Sequence, residues 1–372
     1  MKKILAALLA LAMMGALFTA CGGDSSSQEE PVSSQNVSEP EQSSSEEPTF
    51  ETVKNINPFT GYEKAADYPS GKRAVAVMIN NLKDALPQRG TSEADVLYEM
   101  VTEGGITRLM AVFSDYTKMP DTGPIRSARD QHIQMMFPYQ AMYVHIGAST
   151  LAQDMLDRYS YEAQNIDGKY YSAIWWMGAA HDTSSSYCYT NGELLSKFLQ
   201  GNSSFDDNYE TPPIFNFVPY NEAVRVPEGG PANSIHIQFS NAYYADFTYD
   251  QDNAKYLKYD TRGQAQIDEG NNRQVAVDNV IVLFTSVTKR PGDTPLFEVD
   301  YSNGGYGYYM TQGRYEQIRW LKGLPNQPLR IVDAGGNEID VEINCGKTYV
   351  AVTDLETMFN QFNVDGVNPH NA

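Results

Sequence analysis

The feature that most limits what this chain can fold into is the segment from Gly22 to Ile56, which is rich in Ser, Glu, Gln and Pro. The segment is nearly free of aromatic residues, so it offers too little apolar surface to offset the entropy lost on ordering it. It holds eight acidic residues, with Lys54 as its one base. We therefore expect a disordered acidic tether over 21–56 with a typical reach of roughly 30 Å.

The residues before this tether read as an export signal. Two lysines precede an apolar run, Ile4 to Ala20, that stops at Cys21. Small residues close the run where a membrane span would meet a charged flank, which favours cleavage. The stretch from Phe18 to Cys21 resembles the lipobox of bacterial lipoproteins, although leucine is usual where Phe18 stands. We predict a signal peptide over 1–20, acyl chains such as palmitate on Cys21, and anchoring to the extracytoplasmic face of the cell membrane.

Charge and cysteine content exclude several classes of function. A net charge of -20 argues against nucleic-acid binding, which needs a basic face. No C-x-x-C or H-E-x-x-H motif is present and the five histidines are scattered, so we expect neither a metal site nor a cofactor. Cys188 and Cys345 are far apart in sequence, and their spacing leaves a disulfide between them open.

About 315 residues follow the tether, more than one core usually holds, so two domains or one large layered domain are expected. The residue pattern changes at a Pro- and Gly-rich linker, Pro227 to Pro231. We place an N-terminal α/β domain at 57–226, a β-rich domain at 232–358 and a tail at 359–372. The expected fold class is α+β, with a mixed first half and a mostly antiparallel second half.

In the first half, buried apolar strands alternate with helical patterns. The predicted strands are Arg73 to Ile79, Asp95 to Val101, Arg108 to Phe113 and Ala141 to Ile146. Helices are predicted at Ser127 to Phe137 and Ser149 to Tyr159, each opened by a capping serine.

The second half reads as strands and turns with many tyrosines, which are mostly expected to pack within the sheet. The predicted strands are Ser234 to Ser240, Tyr243 to Tyr249, Tyr256 to Tyr259, Val277 to Val287, Leu296 to Tyr301, Gly307 to Met310, Leu329 to Val332, Glu338 to Ile343 and Thr348 to Val352.

Six ordered motifs in the first half together resemble the YerB-like family of lipoproteins. They are N-P-F-T-G (57–61), V-M-I-N-N (77–81), P-Q-R-G (87–90), A-D-V-L-Y-E (94–99), T-E-G-G-I-T-R (102–108) and G-P-I-R-S-A-R (123–129). The match continues with Y-D-T-R-G (259–263) and N-C-G-K-T-Y (344–349). The resemblance implies a layered sheet-and-helix sandwich with N- and C-terminal family domains. It implies little chemistry, because the family's function is uncharacterised.

The strands around Gly104-Gly105 carry the first part of a candidate polar site. A two-residue turn there sets Val101 opposite Arg108 and brings Glu99, Glu103 and Arg108 to one face. A longer loop sets Glu99 directly opposite Arg108. Two interpretations stay open, namely a buried ion pair that fixes the strand register and a functional acid-base pair.

The segment Gly123 to Arg129 carries the second part, because it places Arg126, Ser127 and Arg129 at a predicted helix start. Free N–H groups and the helix dipole favour anions there, and arginine binds carboxylate or phosphate bidentately. The alternative is that acids of the hairpin or Asp95 pair with both arginines.

Other catalytic motifs are weaker. Ser149 follows a strand and opens a helix, but the closing glycine of a nucleophile elbow is replaced by Leu151, so an N-cap is favoured. His145 is more often a packed histidine than a base. The His181-Asp182 pair could orient an imidazole, but alone it is a weak signal.

The leading hypothesis is therefore a non-catalytic, membrane-anchored binding or scaffolding protein of the cell envelope, with cell-wall polymer or another envelope protein as partner. The main alternative is a wall-directed hydrolase or transferase that uses Glu99 or Glu103, with Arg108, Arg126 and Arg129 stabilising an anion. A third hypothesis places function on a tyrosine-rich sheet edge of the second half that recruits another envelope protein.

Overall fold

A computed structural model describes residues 55–176, 187–292 and 294–371. The predicted signal peptide, Cys21, most of the tether and the His181-Asp182 pair lie outside those residues. No described helix is both long enough and apolar enough to cross a membrane.

The first half supplies seven described strands and three helices. The strands are β1 (Val75–Asn80), β2 (Val96–Val101), β3 (Thr107–Phe113), β4 (Met142–His145), β5 (Asn165–Asp167), β6 (Trp175–Trp176) and β7 (Cys188–Tyr189). The helices are α1 (Asp130–Met136), α2 (Thr150–Arg158) and α3 (Gly192–Gly201). Every residue of β1, β2 and β3 is buried, as the continuous apolar runs predict for strands covered on both faces.

The second half is mostly strand, as predicted. Its strands are β8 (Ser234–Gln238), β9 (Tyr244–Asp250), β10 (Lys255–Tyr259), β11 (Ile267–Asp268), β12 (Arg273–Gln274), β13 (Ala276–Val277), β14 (Asn279–Thr285), β15 (Val287–Lys289), β16 (Phe297–Val299), β17 (Gly305–Thr311), β18 (Arg314–Leu321), β19 (Arg330–Asp333), β20 (Thr348–Asp354) and β21 (Asn363–Val364). One helix, α4, covers Leu355–Asn360.

One ten-stranded sheet contains strands of both halves, in the order β19-β18-β17-β14-β20-β2-β3-β1-β4-β5. The join is β20, which pairs in parallel with β14 on one side and with β2 on the other. A second sheet has the order β13-β10-β9-β8-β21. The two sequence halves are therefore bonded into one framework by backbone hydrogen bonds, and β21 of the predicted tail takes part in it.

The large sheet has two buried faces, and each is covered differently. Met78, Tyr98 and Met110 form a core with residues of α1 and α2, and we call this the helix-covered face. Leu97 and Leu109 pack with the five-stranded sheet and with α3 and α4, on the sheet-covered face. The result is the layered α+β sandwich that the sequence predicts, with the large sheet in the middle.

Two local predictions of secondary structure are wrong. Glu338 to Ile343 does not form a strand; it contributes isolated bridges, such as that between Asp340 and Val332. The helix predicted from Ser127 begins at Asp130, with Arg129 at the N-cap and no side-chain cap. In contrast, the Ser149 hydroxyl does cap α2 by accepting a hydrogen bond from Ala152 N at 3.2 Å.

Candidate functional site

The register of the β2–β3 hairpin differs from both registers that the sequence predicted, the one for a two-residue turn and the one for a longer loop. Met100 lies opposite Arg108 and Val101 opposite Thr107, because a three-residue turn, Glu103–Gly105, joins the strands. Two glycines at positive φ, 65° at Gly104 and 79° at Gly105, allow this turn. Since one residue of register reverses the face of every side chain, Glu99 and Arg108 lie on opposite faces of the sheet. The predicted single acid-base face is therefore wrong.

Glu99 is sealed inside the protein on the sheet-covered face. Its Oε1 accepts hydrogen bonds from Asn81 Nδ2 at 3.0 Å and Thr107 Oγ1 at 2.8 Å. Its Oε2 accepts from the Tyr349 hydroxyl at 2.8 Å and lies 3.2 Å from Lys258 Nζ. Glu99 and Lys258 are each 1 % exposed. Burial, followed by the charge of Glu99, raises the pKa of Tyr349, so its hydroxyl stays a donor.

A chain of amides extends this network across the two halves. Lys258 Nζ donates to Gln266 Oε1 at 2.6 Å, and Gln266 Nε2 donates to Gln88 Oε1 at 3.0 Å. Gln88 Nε2 in turn donates to Asn81 Oδ1 at 2.8 Å, which closes the chain on Glu99. A buried charge pair whose remaining donors and acceptors are satisfied stabilises one arrangement of the chain. Glu99 therefore has the surroundings of a structural residue.

Glu103 leaves the strand in the turn and holds two arginines. Its carboxylate accepts from Arg129 Nε at 2.8 Å and Arg129 Nη2 at 2.6 Å, a bidentate pair, and from Arg108 Nη2 at 2.6 Å. Although burial raises it, the hydrogen bonds from Arg129 and the charges of both arginines lower the pKa of Glu103 to about 2. The carboxyl group is therefore ionised at neutral pH and is a poor general acid.

Arg108 and Arg129 are also fixed by backbone carbonyls. Arg108 Nη1 donates to Ser127 O at 2.9 Å, and Arg129 Nη1 donates to Ala128 O at 2.7 Å. Burial and the like charges of Arg129 and Arg126 lower the pKa of Arg108 to about 10, despite the opposing effect of Glu103. Arg108 is therefore positive at neutral pH, and the Glu103 carboxylate contacts both Arg108 and Arg129.

Arg126 differs from its two neighbours. Its side chain is half-buried, and in the described part of the chain it makes no hydrogen bond or ion pair. Its backbone is held, with Arg126 N donating to Met78 O at 2.9 Å and Arg126 O accepting from Ile146 N at 3.1 Å. The prediction that acids pair with both arginines therefore holds for Arg129, whereas Arg126 has no acidic partner among the described residues.

Most of the predicted site residues lie together at one edge of the large sheet, whereas the sequence placed the arginines at the N-terminus of a helix. Strands β1, β2 and β4 run in the same direction and end here, so Glu103, Arg108, Arg126, Ser127 and Arg129 lie at the carboxyl edge of parallel strands. Ligands of α/β sheets commonly bind at this edge. The Ser127 carbonyl orients Arg108 there, and its hydroxyl caps no helix.

Asn80 is a member of this edge that the sequence reasoning missed. It ends β1 directly opposite Arg108 and is 2 % exposed. Its Oδ1 accepts from Leu82 N at 3.0 Å, while no described group pairs with its Nδ2. The V-M-I-N-N motif could have identified Asn80 as a candidate site residue, because an asparagine that ends a buried apolar strand needs a partner for its amide.

His145 and the cysteines have packing roles. Both ring nitrogens of His145 lie near oxygen atoms, Gly147 O at 2.7 Å and Asn165 Oδ1 at 2.6 Å, and burial lowers its pKa. Cys188 and Cys345 are free thiols that donate to the carbonyls of Ile125 and Val218. Among the described residues, no group of three or more His, Cys, Asp or Glu could hold a metal ion.

A cleft of about 540 Å³ lies elsewhere, between α1, α2 and loops of the second half. Asp130, Met155, Arg290 and Tyr301 contribute to its walls, and none of the six predicted site residues does. Asp130 and Arg290 pair across it at 2.6 Å. The predicted site is thus a cluster at the sheet edge, separate from this cleft.

The architecture defines a class of protein: a layered α+β sandwich in which two sequence halves share one sheet. Comparison with known protein families identifies the family to which the chain belongs. The model described as "Protein of unknown function (DUF3048) N-terminal domain" matches residues 59–205, and its C-terminal counterpart matches 235–350. The chain belongs to this family, as its motifs predict.

One relative and one solved structure extend this assignment. The chain is 26 % identical over 281 residues to "Putative lipoprotein YerB" of Bacillus subtilis (strain 168), a match that covers 73 % of this chain and 79 % of that protein. The crystal structure of YerB from Bacillus subtilis superimposes with a TM-score of 0.67 at 24 % identity, over 80 % of this chain and 95 % of that one. The structural likeness confirms the fold.

Proposed function

We propose that this chain is a lipoprotein, anchored through Cys21 to the extracytoplasmic face of the membrane, that binds a ligand without transforming it. Its binding site is the carboxyl edge around Arg126, and its ligand presents an anionic group. The observation that carries this proposal is the contrast between Glu99 and Glu103, which are both paired, and Arg126, which pairs with no residue that the structure describes.

The state of the two acids argues against the hydrolase alternative. Glu99 is buried and its carboxylate contacts four side chains of the core, so a polymer substrate has no path to it. Glu103 is more accessible, but its two oxygens accept three hydrogen bonds from arginines. A general acid needs a pKa near the working pH, and that of Glu103 is about 2.

The anchor is supported by two observations of different kind. The stretch from Phe18 to Cys21 resembles a lipobox, and the relative from Bacillus subtilis is described as a lipoprotein. Acyl chains on one cysteine give durable membrane binding, at about 0.8 kcal/mol per buried methylene. The acidic tether would hold the folded part away from the bilayer.

The anion site is tested by thermal unfolding of the folded region of the wild type and of Arg126→Ala, at constant ionic strength, with added phosphate, sulfate or acetate. At least one anion should raise the unfolding temperature of the wild type and leave the variant unchanged. Arg319→Ala is the matched control, because Arg319 is also half-buried and makes no ion pair in the described chain. Equal responses in wild type and Arg126→Ala would reject the site.

Absence of turnover is tested separately with purified cell-wall fragments. Wild type, Glu99→Gln and Glu103→Gln should release the same background amount of product. Release by the wild type that disappears in Glu103→Gln would establish the hydrolase alternative instead.

The anchor is tested by mass spectrometry of the mature N-terminus and by fractionation of cells. Wild type should carry acyl chains on Cys21 and sediment with membranes, whereas Cys21→Ser should not be acylated. An unmodified cysteine in the wild type contradicts the anchor while leaving the binding site untouched.

A further inference from the structure

The charge balance at the carboxyl edge indicates what kind of anion fits there. Arg108, Arg126 and Arg129 supply three positive charges, and Glu103 is the carboxylate that contacts two of them. Asp130, which follows Arg129 in the chain, is paired with Arg290 at 2.6 Å. Among the described residues, two positive charges at this edge therefore have no acidic partner, in a protein whose net charge is -20.

The geometry of the strands places an uncharged donor, Asn80, beside Arg108 and Arg126. Asn80 pairs with Arg108 across β1 and β3, and Ile79 forms a bridge with Ile125. Because Ile79 and Ile125 both pack on the sheet-covered face, strand alternation places Asn80 and Arg126 together on the helix-covered face. Arg108 shares that face, since it lies opposite Met100.

The orientation of the Asn80 amide is determined by its own turn. Oδ1 accepts the N–H of Leu82, so the group turned away from that bond is the Nδ2 donor, which has no partner among the described residues. A buried amide donor without a partner is costly, and an acceptor bound beside it removes that cost. The side chains of Asn80, Arg108 and Arg126 thus lie on one face at the carboxyl edge, and Glu103 holds Arg108 and Arg129 beside them.

From this arrangement we infer that the ligand group is a phosphate monoester, bound through Arg126, Arg108 and Asn80. A phosphate monoester carries about 1.5 to 2 negative charges at pH 7 and three acceptor oxygens, which match two unmatched charges and donors from three side chains. A carboxylate has one charge and two coplanar oxygens, so it leaves one charge unmatched. The inference rests on the anion site of the proposed function and specifies its ligand.

The experiment is calorimetric titration of the folded region with methyl phosphate and with acetate, at constant ionic strength and at pH 5 and pH 7.5. At pH 7.5 methyl phosphate should bind more tightly than acetate. Its affinity should be lower at pH 5 than at pH 7.5, because its second pKa is about 6 and it carries less negative charge at pH 5. Arg126→Ala should weaken methyl phosphate binding by about tenfold or more, as expected for the loss of a charged hydrogen bond.

Asn80→Asp is the second variant, and it separates binding from folding. It replaces the Nδ2 donor by an oxygen of the same size and adds a negative charge beside the arginines. We expect a higher unfolding temperature without ligand and no methyl phosphate binding. Methyl phosphate binding that survives in this variant would show that the ligand binds away from Asn80.

The possible results distinguish the two levels of the proposal. Methyl phosphate binding that both variants lose supports the inference. Acetate binding of equal strength that depends on Arg126 overturns the phosphate assignment and keeps the anion site. Binding that persists in both variants identifies an adventitious ion only and overturns the inference, and absence of any anion binding overturns the inference together with the anion site.

Discussion

Glu99 and Glu103 lie four residues apart in one hairpin, yet they have opposite relations to the rest of the molecule. Glu99 is within β2 and contacts side chains from both halves, including Lys258 and Tyr349. Glu103 is in the turn that follows β2, is 24 % exposed and contacts arginines of the first half. The comparison shows that residue type and sequence proximity do not decide the role of a carboxylate; its depth and its partners do.

The two networks also differ in what remains unsatisfied. Around Glu99 the described carboxylate, amides, hydroxyls and ammonium bond to each other, so the network is complete. Around Glu103 the positive charge exceeds the negative, and Arg126 and the Asn80 amide have no described partner. A complete network stabilises a fold, whereas an incomplete one at a sheet edge is suited to binding.

The largest expected effect comes from breaking the buried pair. Glu99→Ala should lower the free energy of unfolding by about 3–5 kcal/mol, because it leaves the Lys258 ammonium uncompensated in the core. Urea unfolding midpoints at unchanged slope measure this. The double variant Glu99→Leu/Lys258→Met should regain most of the loss, since no buried charge remains. A loss below about 1 kcal/mol in Glu99→Ala would contradict a structural role.

The second largest effect on stability is expected at Glu103, in the turn between β2 and β3. Glu103→Gln should lower the free energy of unfolding at pH 7 by about 1–3 kcal/mol, because two arginines lose their charged acceptor while the partly exposed site admits water. The same urea experiment applies. A loss equal to that of Glu99→Ala would remove the distinction between the two carboxylates.

Much of the fold could be predicted because it has a local cause. The strands β1 to β4 are continuous apolar runs, and Ser149 caps α2 through its own neighbours. In contrast, β18 (Arg314–Leu321) mixes charged and apolar residues without clear alternation and was not predicted. The join between halves could not be predicted either, because β2 and β20 are about 250 residues apart and parallel pairing at that distance leaves no local signal.

The sequence predicted several of the residues that gather at the carboxyl edge but not their arrangement. The sequence pointed to Glu103, Arg108, Arg126 and Arg129, which the structure brings to one edge. It failed on Glu99, because a turn of three residues instead of two or four reverses the face of each side chain. Turn length around two adjacent glycines depends on contacts outside the turn, such as Gly104 N donating to Pro295 O at 3.2 Å.

The third effect is a pH dependence of stability that arises from Glu103. The pKa of Glu103 falls from an ordinary 4.5 to about 2, so its contribution to stability is complete above about pH 4.5 and is lost as the pH falls towards 2. The difference in unfolding free energy between wild type and Glu103→Gln should therefore shrink over that window. It is measured by urea unfolding of both proteins at pH 7, 4.5, 3 and 2. A difference that stays constant would show that the ion pairs with Arg108 and Arg129 contribute nothing to stability.

The smallest effect on the free energy of unfolding is expected at Arg126, in the proposed binding site. Arg126→Ala should change the free energy of unfolding without ligand by no more than about 0.5 kcal/mol, because the side chain makes no described ion pair or hydrogen bond. Removing it also relieves repulsion of Arg108, whose pKa should rise. Arg129→Ala is the matched comparison and should cost as much as Glu103→Gln, since it breaks a bidentate pair. If Arg126→Ala were as destabilising as Arg129→Ala, Arg126 would belong to the structural network, and the edge would have no free cation for a ligand.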